Sequence, residues 1–96
     1  KYNKEAMNVR AMSNFRKNLY YALEARGITY RAFAVDCGVG YVYLCRICNP
    51  DEHGKPEPSL AICDKIADAL HVGLSDLLMP PAEFRAFHDG LTAVSQ

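Results

Sequence analysis

The chain has no long hydrophobic run, no net charge and no internal repeat, and each absence narrows the field. Nothing in its 96 residues approaches the ~18 consecutive apolar residues of a membrane span. The opening residues lack the charged-then-apolar order of a secretory leader, so none is expected. Eleven basic and eleven acidic side chains cancel, which sets aside binding to a polyanion by bulk charge alone. No repeated unit is visible, so a solenoid is set aside as well. Four cysteines could make two disulfides in a secreted scaffold, but such scaffolds usually lack a good apolar core. Half of these residues are apolar. Reduced thiols in a cytoplasm fit better.

A chain of this length makes one small domain, burying about 60% of its unfolded surface. The zero net charge conceals an asymmetry. Residues 1–55 hold nine Lys or Arg and five acids, a net of +4, and residues 56–96 carry the balancing −4. The basic half can face phosphates while the acidic half faces water. The first residue is Lys1, with Met7 and Met12 as candidate native starts. Residues 1–12 are therefore set apart as an N-terminal extension, foreign to the native chain or without fixed structure.

Helical periodicity dominates the remainder of the chain. "SNFRKNLYYALEARG" places Phe15, Leu19, Ala22 and Leu23 on one face and stops at Gly27. "TYRAFAVDCG" opens with Thr29 as N-cap, buries Phe33, Ala34 and Cys37, and closes at Gly38. "SLAICDKIADALHVG" starts at Ser59, with Leu60, Ile62, Cys63, Ile66, Ala67 and Leu70 as its apolar face. "LSDLLM" makes a short turn of helix capped by Gly73 and ended by Pro80-Pro81. "AEFRAFHDGL" spaces Phe84, Phe87 and Leu91 at helical intervals.

One stretch conflicts with this pattern. "GVGYVYLCRICNP", Gly38 to Pro50, is rich in the β-branched and aromatic types that favour strands. A lone strand among helices has no partner, however, and packing overrides propensity. The stretch is read as a helix from Tyr41 to Cys48, entered through Gly40 and ended by Asn49-Pro50. Leu44 and Ile47 would bury it against the preceding helix, where Ala34 keeps the crossing close and Gly38 supplies a positive φ. Two helices, a tight turn and a second helix left exposed on its outer side make a helix-turn-helix.

These residues are similar to the Cro/C1-type (XRE, phage-repressor-like) helix-turn-helix family. The resemblance runs from about Phe15 to Met79 through "ALEARGITYRAFAVDCGVGYVYLCRI" and "PSLAICDKIADALHVGLSDLL". It implies an all-α, five-helix, lambda-repressor-like DNA-binding domain over residues 13–79. A short extra C-terminal helix and tail over residues 80–96 would follow. Helix 41–48 would be the recognition helix in the major groove of double-stranded DNA. Gly40, Tyr41, Val42 and Arg46 occupy the base-reading positions, and Tyr30, Tyr43, Asn49 and Lys55 fall at or near phosphate-contacting ones. The expected protein is a sequence-specific transcriptional regulator, repressor-like, bacterial or phage-encoded and cytoplasmic. It would bind a palindromic operator as a homodimer, with no cofactor, no catalytic residue and no membrane.

Departures from the family pattern shape the expectation. Gly40 stands where Ser or Thr is common, and Tyr41 and Val42 replace polar readers, so Arg46 is the strong donor fork left. Tyr30 stands where the family usually has Gln, and the loop carrying Gly54-Lys55 is about four residues longer than usual in such folds. The family commonly pairs an Arg late in helix one with a Glu ending helix three. Here the positions read Leu23 and Cys48, and replacing both partners by apolar groups is often neutral.

Rival readings remain at several of these residues. Cys45 and Cys48 form a CxxC, and His53 and Cys63 could complete a zinc set, but the helical pattern puts Cys37, Cys48 and Cys63 in the core. Cys45 at the surface is a candidate thiol switch. Tyr41 and Tyr43 could instead serve a protein partner, as in an antitoxin-like or adaptor module. His53, His71 and His88 have no catalytic partner at recognisable spacing. Phe84 and Phe87 are read as core cover, with a dimer contact as the alternative.

Overall fold

Six helices account for the regular structure in the computed structural model, which describes residues 4–49 and 58–94. They are α1 (Lys4–Arg26), α2 (Tyr30–Cys37), α3 (Tyr41–Cys48), α4 (Leu60–Leu70), α5 (Leu74–Leu77) and α6 (Pro81–Val94). Among the described residues there is no strand. The strand-favouring types of the Gly38–Pro50 stretch form a helix as far as Cys48. Among the described residues, no helix is long and apolar enough to cross a membrane.

Three helices stop by the same device. Gly27, Gly38 and His71 each adopt the left-handed conformation, with φ of 67°, 72° and 61°. In each case the next amide reaches back five residues: Ile28 to the Leu23 carbonyl, Val39 to Ala34, and Val72 to Ala67, at 3.0–3.1 Å. This double turn satisfies carbonyls that a helix end leaves orphaned. At Gly38 it also turns the chain, so that only three residues separate the end of α2 from the start of α3.

α1 packs against α3, α5 and α6, α2 packs against α3 and α4, and α4 packs against α5. Phe15, Leu19, Ala22 and Leu23 of α1 meet Phe33, Leu44, Ile47, Ile66, Leu70, Leu77 and Phe84 in one core. Burying each large side chain contributes about 1.5–3 kcal/mol. Leu23 and Cys48 are both buried, so neither position needs a charged partner. Leu60 leaves the face assigned to it and is 72% exposed. It is the first residue of α4, and a helical side chain leans toward the turn before its own Cα, where α4 has none.

Two features differ from the sequence reading at the ends of the fold. α1 extends back to Lys4, so residues 4–12 continue the first helix, and Met12 packs against the core. No glycine or proline interrupts the chain before Gly27. α6 is 14 residues long rather than a short appendage. Polar contacts at long sequence separation fasten it. Arg26 donates from Nη1 to the Leu70 carbonyl at 2.8 Å and from Nε to His88 Nε2 at 2.9 Å, joining α1, α4 and α6. His88 is fully buried beside the Tyr21 and Phe84 rings, and the Tyr21 hydroxyl donates to Asp89 at 2.8 Å. Asn14 and Asn18 donate to the Leu78, Leu77 and Met79 carbonyls at 2.8–3.0 Å, which closes the end of α5.

Candidate functional site

α3 divides cleanly into two faces. Leu44, Ile47 and Cys48 are buried, whereas Gly40, Tyr41, Val42 and Arg46 are exposed. Val42 and Arg46 lie one turn apart on the same side, the i,i+4 relation that makes helix residues neighbours. Tyr41 and Val42 stand 38% and 63% exposed, a large apolar surface left uncovered at the front of the helix. α3 carries no carboxylate, and Asp36 is the one acid on α2.

The front of α3 is open in a second sense. Gly40 caps it with extended backbone (φ −66°, ψ 142°) and no side-chain hydrogen bond. The first-turn amides therefore have no capping oxygen, and these amides are where a helix dipole attracts anions. α2 and α4 are capped by Thr29 and Ser59, which accept from the Ala32 and Ile62 amides at 3.1 and 3.2 Å.

Tyr30 and Asn49, both phosphate-contacting candidates, lie together at the opposite end of α3. Asn49 Nδ2 points at the Tyr30 hydroxyl at 3.5 Å, a distance at which a hydrogen bond is weak. Burial pushes the Tyr30 phenol up to about 12, so it remains a neutral donor at any ordinary pH. Tyr43 is half-buried and packs on the core. Lys55, like Gly54 and His53, lies outside the described residues.

No family model, curated protein or solved structure matches this chain. The physical reading of the site therefore rests on its own geometry.

The cysteines separate along the same division. Cys37, Cys48 and Cys63 are buried and Cys45 is half-exposed. Burial raises the Cys48 thiol to about 11 and raises Cys37 and Cys63 too. A buried thiol that stays protonated is a poor nucleophile and a poor metal ligand. Among the described residues, no three His, Cys, Asp or Glu side chains gather closely enough to hold a metal.

Sequence reasoning missed one residue of this surface. The Arg31 guanidinium carbon sits 4.2 Å above the centroid of the Tyr41 ring. The two lie on different helices, so no periodicity links them, although a cation and an aromatic on either side of a tight turn is a usable signal.

Proposed function

We propose that the protein is a sequence-specific binder of double-stranded DNA, a repressor-like transcriptional regulator of the helix-turn-helix type. α2 and α3 form its helix-turn-helix, and α3 enters the major groove. The observation that carries this reading is the two-faced character of α3. Leu44, Ile47 and Cys48 fasten it from inside, while Tyr41, Val42 and Arg46 face outward from a helix without carboxylates. An exposed Arg can bond guanine O6 and N7 bidentately, and Val42 can meet a thymine methyl. The uncapped front of α3 and the Tyr30–Asn49 pair suit the flanking phosphates, contacts that set register rather than sequence. The binding form is a homodimer whose two recognition helices lie about 34 Å apart over a palindromic operator.

Selection from a random duplex pool tests binding, site and symmetry together. One enriched, two-fold-symmetric sequence is expected. Its affinity falls on the order of 10³-fold between 50 and 200 mM salt if about six phosphates are contacted. Arg46→Ala should relax preference at one base pair of each half-site, at a cost of about 1–3 kcal/mol. Equal affinity for selected and scrambled duplexes overturns the reading.

A second reading is favoured by apolar side chains left exposed on both helices. Val35 is 80% exposed on α2, and Tyr41 and Val42 are exposed on α3, which suits a protein partner of an antitoxin-like or adaptor module. Retention of one stoichiometric protein partner, with no duplex shifted at low salt, selects it.

A further inference from the structure

The contact between Arg31 and Tyr41 joins the first turn of α2 to the first residue of α3. Both side chains are exposed, so neither is needed to fill the core. A guanidinium is flat. Its face can lie on an aromatic ring while its N–H donors stay free at the edge of the same plane. Tyr41 is the first residue of α3, where a long side chain has no preceding turn to pack on. A ring free to swing would lose rotamer entropy on entering a groove, and stacking removes part of that loss in advance. No acid on these helices competes for the guanidinium at close range. Asp36, the sole carboxylate of α2 and α3, lines a separate groove with Cys37, Lys65, Asp68 and Ala69.

We infer that Arg31 is a specificity-determining positioning residue: stacked on Tyr41, it fixes the ring at the groove edge and donates its outward N–H edge to a flanking phosphate. This rests on the DNA-binding reading above and adds a residue to it. One guanidinium does two jobs that a lysine would separate. A lysine keeps the positive charge near the phosphate but has no plane to lay on the ring.

The test uses the full chain, the selected duplex and a panel carrying single base-pair changes. Arg31→Lys, whose ammonium can sit over the ring or reach the phosphate but not both, should lower discrimination at the base pair facing Tyr41 by about twofold, within the scale of an exposed cation–π contact. It should leave the salt dependence as in wild type. Arg31→Ala should lose the same discrimination and also reduce the salt slope by about one. In a Tyr41→Phe background, which keeps the ring, Arg31→Lys should still carry its loss, whereas in a Tyr41→Leu background it should cost nothing further. The double variant Arg31→Lys/Tyr41→Leu should be no worse than Tyr41→Leu alone, because both changes remove one interaction. The melting temperature should not move in any of them, since both residues are exposed. Arg31→Lys matching wild type across the panel, or additive losses in the double variant, would overturn the assignment of Arg31 alone. A wild-type chain that enriches no duplex would overturn the DNA-binding reading beneath it.

Discussion

α3 and α4 have the same inside and different outsides. Both bury a stripe of apolar residues: Leu44, Ile47 and Cys48 in one, Cys63, Ile66, Ala67 and Leu70 in the other. On the outside, α4 shows Leu60 at its first position and then Asp64, Lys65 and Asp68, a mixed-charge face that water satisfies. α3 shows Tyr41, Val42 and Arg46. Its first turn lacks the side-chain cap that Ser59 gives α4. Inner faces are dictated by packing and say little about function. An outer face that gives up solubility and a capping oxygen needs another reason, and a partner in contact with it is the simplest.

The largest expected effect tests whether the inner faces are equivalent. Leu44 and Ile66 are both fully buried in one core. Leu44→Ala and Ile66→Ala should each lower unfolding free energy by about 2–5 kcal/mol, measured by denaturant titration with m-values unchanged. If Leu44→Ala costs less than about 1 kcal/mol while Ile66→Ala costs the full amount, α3 is not fastened as the comparison requires.

A smaller effect tests the burial of the α3 inner face by pH. The Cys48 thiol ionises near 9 when solvated and is raised to about 11 by burial in the fold. The native state therefore holds its proton more tightly than the unfolded chain. Its contribution is fully present below about pH 9 and is lost as pH rises through about 11. Stability measured across that window should fall, and Cys48→Ala should remove part of the slope, the rest belonging to the raised Cys37, Cys63 and Tyr30 groups. Near neutral pH, iodoacetamide should alkylate Cys45 ahead of Cys37, Cys48 and Cys63 in the folded protein. Four equal rates would mean that the α3 inner face is open to solvent.

Much of the fold is legible in the residues alone. Thr29, Gly38, Ser59 and Gly73 can be read as caps because capping is local chemistry, and Phe33, Leu44, Ile47 and Ile66 as core because periodicity is local too. The features that escape such reading are long in range or lie at an end. His88 finds Arg26 across 62 residues and Tyr21 finds Asp89 across 68, separations that no spacing rule covers. Leu60 carries the right residue type at a helical interval, yet as the first residue of α4 it is 72% exposed. Residues 4–12 look like an extension because of their place in the chain, although their composition suits the helix they form. Of the site, the outward placing of Tyr41, Val42 and Arg46 follows from the register of α3 and their base-reading role from the family resemblance alone, whereas Arg31 needs the turn at Gly38 to be folded.

The smallest expected effect exchanges the two caps and separates folding from binding. Ser59→Ala removes an oxygen that accepts from Ile62 at 3.2 Å, and should cost about 1 kcal/mol of stability without touching duplex affinity. Gly40 offers the reverse experiment. A Cβ built there meets nothing closer than the Tyr43 Cβ at 4.0 Å, and the backbone is already extended, so a side chain fits without strain. Gly40→Asp should therefore stabilise the fold by about a few tenths of a kcal/mol, as a better N-cap with a charge that favours the helix dipole. The same carboxylate would stand at the amides proposed to face phosphate. It should weaken duplex binding while Gly40→Ser, capped but uncharged, weakens it less. Gly40→Asp with unchanged affinity would mean that the front of α3 does not approach the DNA backbone.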